Sequence, residues 1–286
     1  MASAVSSRVQ GDRMNTHRFS QARGLVFAFS LASGLLLAFI MLPLLEIYGS
    51  QTSASLMRAA SSAEVRNAIL LSLEAACLTT ACAGLLGVPL AYLLARFSFP
   101  GKGFVEAIVD LPLAVPHTVV GIGLLFVFGR TGLLGAPAAS ITGIKFWGTT
   151  AGVVIAMLYV SVPYAVNAAR VGLESVDPRL EKVARTLGAG RWAVLFKVTL
   201  PLAGRGILTG LSLTFARSIS EFGAVIVLTY YPMTAPVKIY DLFLQFGLSE
   251  SSAMATLFLT VTLSLFIFFR YLVALRKGGA PIGWRA

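Results

Sequence analysis

Two ionisable residues stand where hydrocarbon is expected. In FARSISEFGAVIVLTYYP, residues 215 to 232, Arg217 and Glu221 lie four apart in a run that reads as a membrane-spanning helix. A charged side chain at the centre of a bilayer costs about 2.5 to 3.5 kcal/mol on insertion scales, so each needs a reason to be there. Two readings are open: a self-neutralising pair that holds helices together, or part of a gate or its hinge. Arginine before glutamate is the less favourable order for a pair at this spacing, which calls for a partner on another helix or subunit. Gly210, Thr214, Arg217 and Glu221 recur at helical spacing with Ser218 beside them, so this run predicts one polar face. Arg217 lies 12 residues beyond Arg205, about 18 Å along a helix and near the middle of a hydrocarbon layer of roughly 30 Å.

Other reactive chemistry is sparse. His117 stands alone in the third apolar run and His17 lies in the N-terminal tail, while Cys77 and Cys82 are five apart on different faces of a helix. No metal cluster or intrahelical disulfide can be assembled from them, and no cofactor is expected. The Gly101-Lys102 pair lacks both the earlier glycine, replaced by Arg96, and the following Ser or Thr, replaced by Gly103. With no phosphate loop, no completed G-x-G-x-x-G and no plausible Ser/His/Asp set, the chain is not expected to be an enzyme.

The elements that must position these residues follow from composition. Hydrophobic residues make up 57% of the 286 and charged residues 12%, with a mean hydropathy of +0.82, which describes a polytopic membrane protein. Runs long enough to span occur near 24–47, 67–95, 104–128, 148–169, 207–230 and 252–275, predicting an all-α protein of six transmembrane helices. In the third run, Pro116, Gly121 and Gly123 should bend or weaken the helix beside His117 and Thr118. Glu74, in the second, is expected to face the bundle. The domain plan is a disordered tail over 1–23, a membrane domain over 24–275 and a second tail over 276–286.

The net charge of +11 reports topology. With the N-terminus inside, 17 of the 23 Lys and Arg fall on the cytoplasmic side and five outside, as the positive-inside rule requires. Both termini are then cytoplasmic, the location is the cytoplasmic membrane, and no nucleic-acid partner is expected.

The inward connection DPRLEKVARTLGAGRWAVLFKVTLP, residues 177 to 201, carries its own helix punctuation. Asp177 can cap and Pro178 can open a helix in which Leu180, Val183, Ala184 and Leu187 form an apolar stripe opposite Arg179, Glu181, Lys182 and Arg185. Gly188 can stop it in a left-handed turn, a second short helix starts near Arg191, and Pro201 should end that one. Such a helix can lie on lipid headgroups or dock into a partner's groove.

LEKVARTLGAGRWAVLFKVTLP resembles the EAA loop of permease subunits of ATP-binding-cassette importers. Lys182, Val183 and Ala184 occupy the Glu-Ala-Ala places, with Glu181 one place early; Gly188 is the glycine, and Leu200 and Pro201 are the closing pair. Residues 111–129, 161–181 and 216–243 resemble the molybdate/tungstate permeases, most of all their tungstate/molybdate branch. The resemblance implies a type I (MetI-like) permease fold, an EAA coupling loop over about 171–203, a second permease copy, two ATPase subunits and an external oxyanion-binding protein. Its ATPase-coupling residues would be Glu181, Lys182, Val183, Ala184, Arg185, Gly188, Leu200 and Pro201. The pathway or gate would use His117, Thr118, Thr214, Arg217, Ser220 and Glu221. His117 would either bond a neighbouring backbone carbonyl or touch the anion. The alternatives are a sulfate importer, or a carrier driven by an ion gradient with Arg217, Glu221 and Glu74 as a relay.

Overall fold

The computed structural model describes the backbone from Ala2 to Leu275 and the side chains of residues 24–268 and of Tyr271; the tail expected at 276–286 lies outside the described residues. Contacts divide the chain into two units, residues 1–52 and the remainder. The first unit holds α1 (Ala2–Gly49), whose apolar part, Gly24–Gly49, is long enough to span. The helix continues back to Ala2 through the segment expected to be disordered. No proline interrupts residues 2–23, so nothing local stops it.

Among the described residues of the second unit every regular element is helical: α2 (Ser53–Ser61), α3 (Ala63–Arg96), α4 (Lys102–Ala114), α5 (His117–Phe128), α6 (Gly135–Thr142) and α7 (Thr150–Glu174) come first. After them come α8 (Pro178–Thr186), α9 (Arg191–Val194), α10 (Leu200–Ile219), α11 (Gly223–Leu228), α12 (Ala235–Phe246) and α13 (Leu248–Leu275). Five helices of the described residues are long and apolar enough to cross a membrane, or six if the bent pair α4 and α5 counts as one span.

That pair departs from the expected straight helix over 104–128. The two halves meet at 113°, because Val115 is extended (ψ 132°) and Pro116 precedes the first turn of α5. A proline disfavours helical backbone in the residue before it and supplies no N–H for the turn it enters. The fifth span is also displaced. It begins at Arg191 rather than 207 and stops at Ile219, so Arg217 sits in a last helical turn and Glu221 lies in the break beyond it. Pro201 does not end the short helix before it. A π-turn over Leu195–Thr199 joins α9 to α10, with Leu200 N–H bonded to Leu195 C=O, and the wider turn carries the helix past a residue that cannot donate.

The bundle is built on α3, α7 and α10. Small residues set its closest crossing: a Cβ added to Gly172 of α7 would sit 2.7 Å from Gly206 Cα of α10. One core joins Val153, Met157 and Val160 of α7 to Val120 and Leu124 of α5 and Val225 of α11. A second joins Leu94 of α3 to Val166, Ala169 and Leu173 of α7 nearer α8. Acidic residues of α4 tie it to α7, Glu106 by an ion pair to Arg170 at 2.6 Å and Asp110 by accepting from Asn167 Nδ2 at 2.6 Å.

Gly206→Leu pushes a side chain into backbone, with no flexible neighbour to yield. It is expected to destabilise the protein by at least about 2 kcal/mol, read as a lower thermal midpoint in detergent. Gly103→Leu, where a Cβ meets nothing within 4 Å, should shift the midpoint little.

Candidate functional site

Two chain breaks face each other. α5 begins at His117 after Pro116, and α11 begins at Gly223 after the break at Ser220 to Phe222. Their contact is close: a Cβ on Gly121 would meet Val227 Cβ at 2.7 Å, and one on Gly223 would meet His117 Cβ at 2.9 Å. A break exposes backbone N–H groups that hydrocarbon cannot satisfy. Glu221 answers this need at α11, where its Oε1 accepts from Ala224 N–H at 2.8 Å. Its Oε2 accepts from Arg217 Nη2 at 2.8 Å and lies 3.2 Å from His117 Nδ1.

Arg217 Nη2 is within 3.0 Å of both ring nitrogens of His117. The imidazole edge thus lies against both the guanidinium and the carboxylate. The side chain of Glu221 is 1% exposed, Arg217 20% and His117 36%. The carboxylate is therefore sealed inside, while the cation and the imidazole reach an open surface. In place of the neighbouring backbone carbonyl expected of it, His117 meets the charged side chains of Arg217 and Glu221, about a hundred residues away.

The remaining expected pathway residues separate. Thr118 and Ser220 are exposed, and Ser220 Oγ donates back to Arg217 C=O at 3.1 Å. Thr214 is fully buried; its Oγ1 donates to Gly210 C=O at 2.9 Å, and Ser218 Oγ lies 3.0 Å from Ser161 Oγ on α7. The single polar face thus splits, with Gly210, Thr214 and Ser218 turned to α7 and Arg217 turned to α5. Glu74 is exposed on α3 instead of facing the bundle.

At the other end of α10, the surface helix turns its carboxylate inward and its apolar stripe outward. Asp177 Oδ1 caps α8 by accepting from Arg179 N–H at 2.8 Å, and Gly188 closes it at φ +88° with Ala189 N–H on Ala184 C=O. The one buried residue of α8 is Glu181, expected on the polar face. It pairs with Arg96 at 2.8 Å and accepts from Thr199 Oγ1 at 3.0 Å. The apolar stripe faces outward: Leu180, Val183 and Leu187 are exposed, Leu187 by 83%, and so are the stacked rings of Trp192 and Phe196. Lys182 and Arg185 flank this surface, Ala184 is half-buried, and Leu200 and Pro201 head α10. Arg96 and Thr199 escaped sequence reading because no local pattern joins positions so far apart.

Remote from α8, a cavity of about 540 Å³ is lined by Glu64, Asn67, Thr150, Tyr231, Met233 and Lys238. Lys238 pairs with Glu64 at 2.8 Å and with Asp241 at 3.3 Å, and Tyr230 donates to Asp241 at 2.7 Å. Burial alone would push the Asp241 carboxyl up, but bonds from Tyr230, Gln245 and Lys238 hold it below its ordinary range. Burial likewise opposes the Lys238 charge, and its bonds to Glu64 and Asp241 hold its pKa above the ordinary value.

A family model described as "Binding-protein-dependent transport system inner membrane component" matches residues 87–277. The chain is 43% identical over 251 residues to the molybdate/tungstate transport system permease protein of Pyrococcus furiosus, covering 87% of this chain and 95% of that one. It is 40% identical over 250 residues to its namesake in Thermococcus kodakarensis, covering 87% and 96%. A solved bacterial transporter involved in the import of the acidic polysaccharide alginate superposes with a TM-score of 0.72 at 19% identity, covering 90% of this chain and 96% of that one. The same fold occurs at the same TM-score in that transporter's complex with a periplasmic protein bound to an alginate pentasaccharide.

Glu221→Ala strands Arg217 and uncaps Ala224 N–H at once. The expected loss is about 3 kcal/mol of stability, measured by thermal unfolding in detergent. At the remote end, the depressed Asp241 carboxyl gives stability that is present above its ordinary value and lost as pH falls through its folded value. The raised Lys238 gives stability present below its ordinary value and lost as pH rises through its folded one. The thermal midpoint should therefore drop below about pH 4, and Asp241→Asn should flatten that acid limb.

Proposed function

Because the chain belongs to the family of binding-protein-dependent transport system inner membrane components, we propose that it is the permease subunit of an ATP-driven importer of molybdate and tungstate. It is a multi-pass membrane protein and a transporter subunit, not an enzyme. The anion assignment rests on relatives named for molybdate and tungstate that align over nearly their full length.

The observation that carries the ATP-driven reading is α8, which buries its carboxylate and exposes its leucines. A surface helix built this way gains by placing Leu180, Val183 and Leu187 in an apolar groove of a partner. In this reading the partner is an ATPase subunit, one beneath each of two permease copies, with α8 and both chain termini on the cytoplasmic side. An external binding protein delivers the anion at the end that holds the Lys238 cavity. Closure of the ATPases moves α8, and the bundle opens toward the binding protein.

The break between α5 and α11 supplies the gate. Thr118 offers a hydroxyl on the exposed surface there, and the partly exposed Arg217 and His117 offer a cation and an imidazole N–H to an oxyanion. Glu221, being buried, holds these groups in place and leaves the surface free of an exposed carboxylate. Selectivity can then reside in the binding protein, since a gate needs only to let the anion pass. Glu74 disfavours an ion-gradient carrier, because a relay would need it beside Arg217 and Glu221 and it turns away from the bundle.

Reconstitution in vesicles with the ATPase and the binding protein tests this. Labelled tungstate uptake should require ATP, survive collapse of ion gradients and fall less than twofold under excess sulfate; gradient-driven uptake without ATP would overturn the reading. Gly188 gives a second test. A Cβ there meets nothing within 4 Å, but φ is +88°, so a larger residue costs the free permease about 1 to 2 kcal/mol. Gly188→Trp should insert normally yet cut ATP-driven uptake to below a tenth, since its bulk would be met by the docked partner.

A further inference from the structure

α8 is tied to the bundle by its two chain ends and by the buried side chain of Glu181. On one side it continues from α7 through Ser175 to Asp177, and on the other it leads through Gly188 into α9 and α10. Neither route reaches α3, whose last helical residue, Arg96, is 85 positions before Glu181. Arg96 bridges that gap. Its Nε donates to Glu181 Oε1 at 2.9 Å, its Nη2 lies 2.8 Å from the same oxygen, and Nη2 also donates to Val176 C=O at 3.1 Å. Thr199 Oγ1, in the π-turn, donates to that oxygen at 3.0 Å. One buried carboxylate oxygen thus gathers α3, α8 and the head of α10, and the guanidinium adds the end of α7. The side chains of Arg96 and Glu181 are 10% and 9% exposed. A pair this dry keeps its geometry better than a surface pair, whose long side chains exchange with water.

We propose that Arg96 is the positioning residue through which a displacement of α8 reaches α3. The inference rests on α8 being the helix that docks the ATPase. α3 has 34 residues, about 51 Å as a rigid helix. At its far end Glu64 pairs with Lys238 of α12 and both line the remote cavity. A push on Glu181 therefore bears on a rod whose other end borders the surface offered to the binding protein. α7 and α10 move with α8 through the chain, and α3 packs against both; the Arg96 pair adds a direct tie from α8 to the end of α3.

The complete transporter in proteoliposomes, with ATPase and loaded binding protein, gives the readout as tungstate imported per ATP hydrolysed. Arg96→Met should lower that ratio at least fivefold in an assembled complex, and Arg96→Lys, which keeps one charged contact, should recover about half. Spin labels supply a measurement that a merely structural role would not move. In Arg96→Met the ATP-induced distance change between the two α8 helices should persist, while the change between labels at Asn67 on α3 should fall at least twofold. If Arg96→Met fails to assemble, Thr199→Val, which loosens the same oxygen, should lower the ratio two- to threefold. A wild-type ratio in Arg96→Met, or in Thr199→Val where Arg96→Met does not assemble, overturns the proposal. Leu187→Glu, run alongside, separates the two ideas. If it leaves ATP-driven uptake intact, the docking reading itself fails; if it abolishes uptake while Arg96→Met keeps a normal ratio, only the role of Arg96 falls.

Discussion

A helix cannot simply stop inside hydrocarbon, because the N–H groups of the next segment then have no acceptor. This chain stops twice, at Pro116 and after Ile219, and brings the two resumed segments together. Glu221 makes that possible. One of its oxygens caps α11, and the other holds Arg217 and contacts His117. The charge is thus not an addition to a finished helix. It is the acceptor that lets the backbone turn, and the arginine supplies it with a second, charge-assisted hydrogen bond.

The two ends of the bundle follow a shared logic with different partners. In each, a carboxylate placed in the interior joins segments distant in sequence through an arginine. Near α8 the segments are α3 and the loop that holds α8; at the break they are α5 and α10. Between these sites, α7 and α10 meet almost backbone to backbone at Gly172 and Gly206. Such contact leaves little slack, so a change at one end is more readily passed on as a shift of whole helices than absorbed by side chains.

Local chemistry was legible in the sequence. Asp177, Pro178 and Gly188 marked α8 because caps act within a turn, and Pro116 marked the bend because proline constrains its immediate neighbour. Contacts between distant segments were not. A spacing of four between Arg217 and Glu221 promised one continuous helix, but the chain leaves the helix at Ser220 and the two still meet through the break. Glu181 looked solvated because charged residues surround it; only Arg96, brought in from another helix, makes the inside the better place. For Thr214 and Glu74 the helical period gave the element but not the direction of its inner face, which depends on neighbours.

The π-turn before Pro201 has a consequence for how such a chain can vary. It holds one residue more than an α-turn, and that residue sets the rotation of α9 relative to α10. Loss of any one position among 195–199 would restore regular winding and swing Trp192 by about 100° around the axis. The apolar surface would then be cut in two, with Leu187 on one side and the aromatic rings on another. Single-residue deletions here should therefore be filtered far more strictly than substitutions, and the length of this short segment is more constrained than its composition.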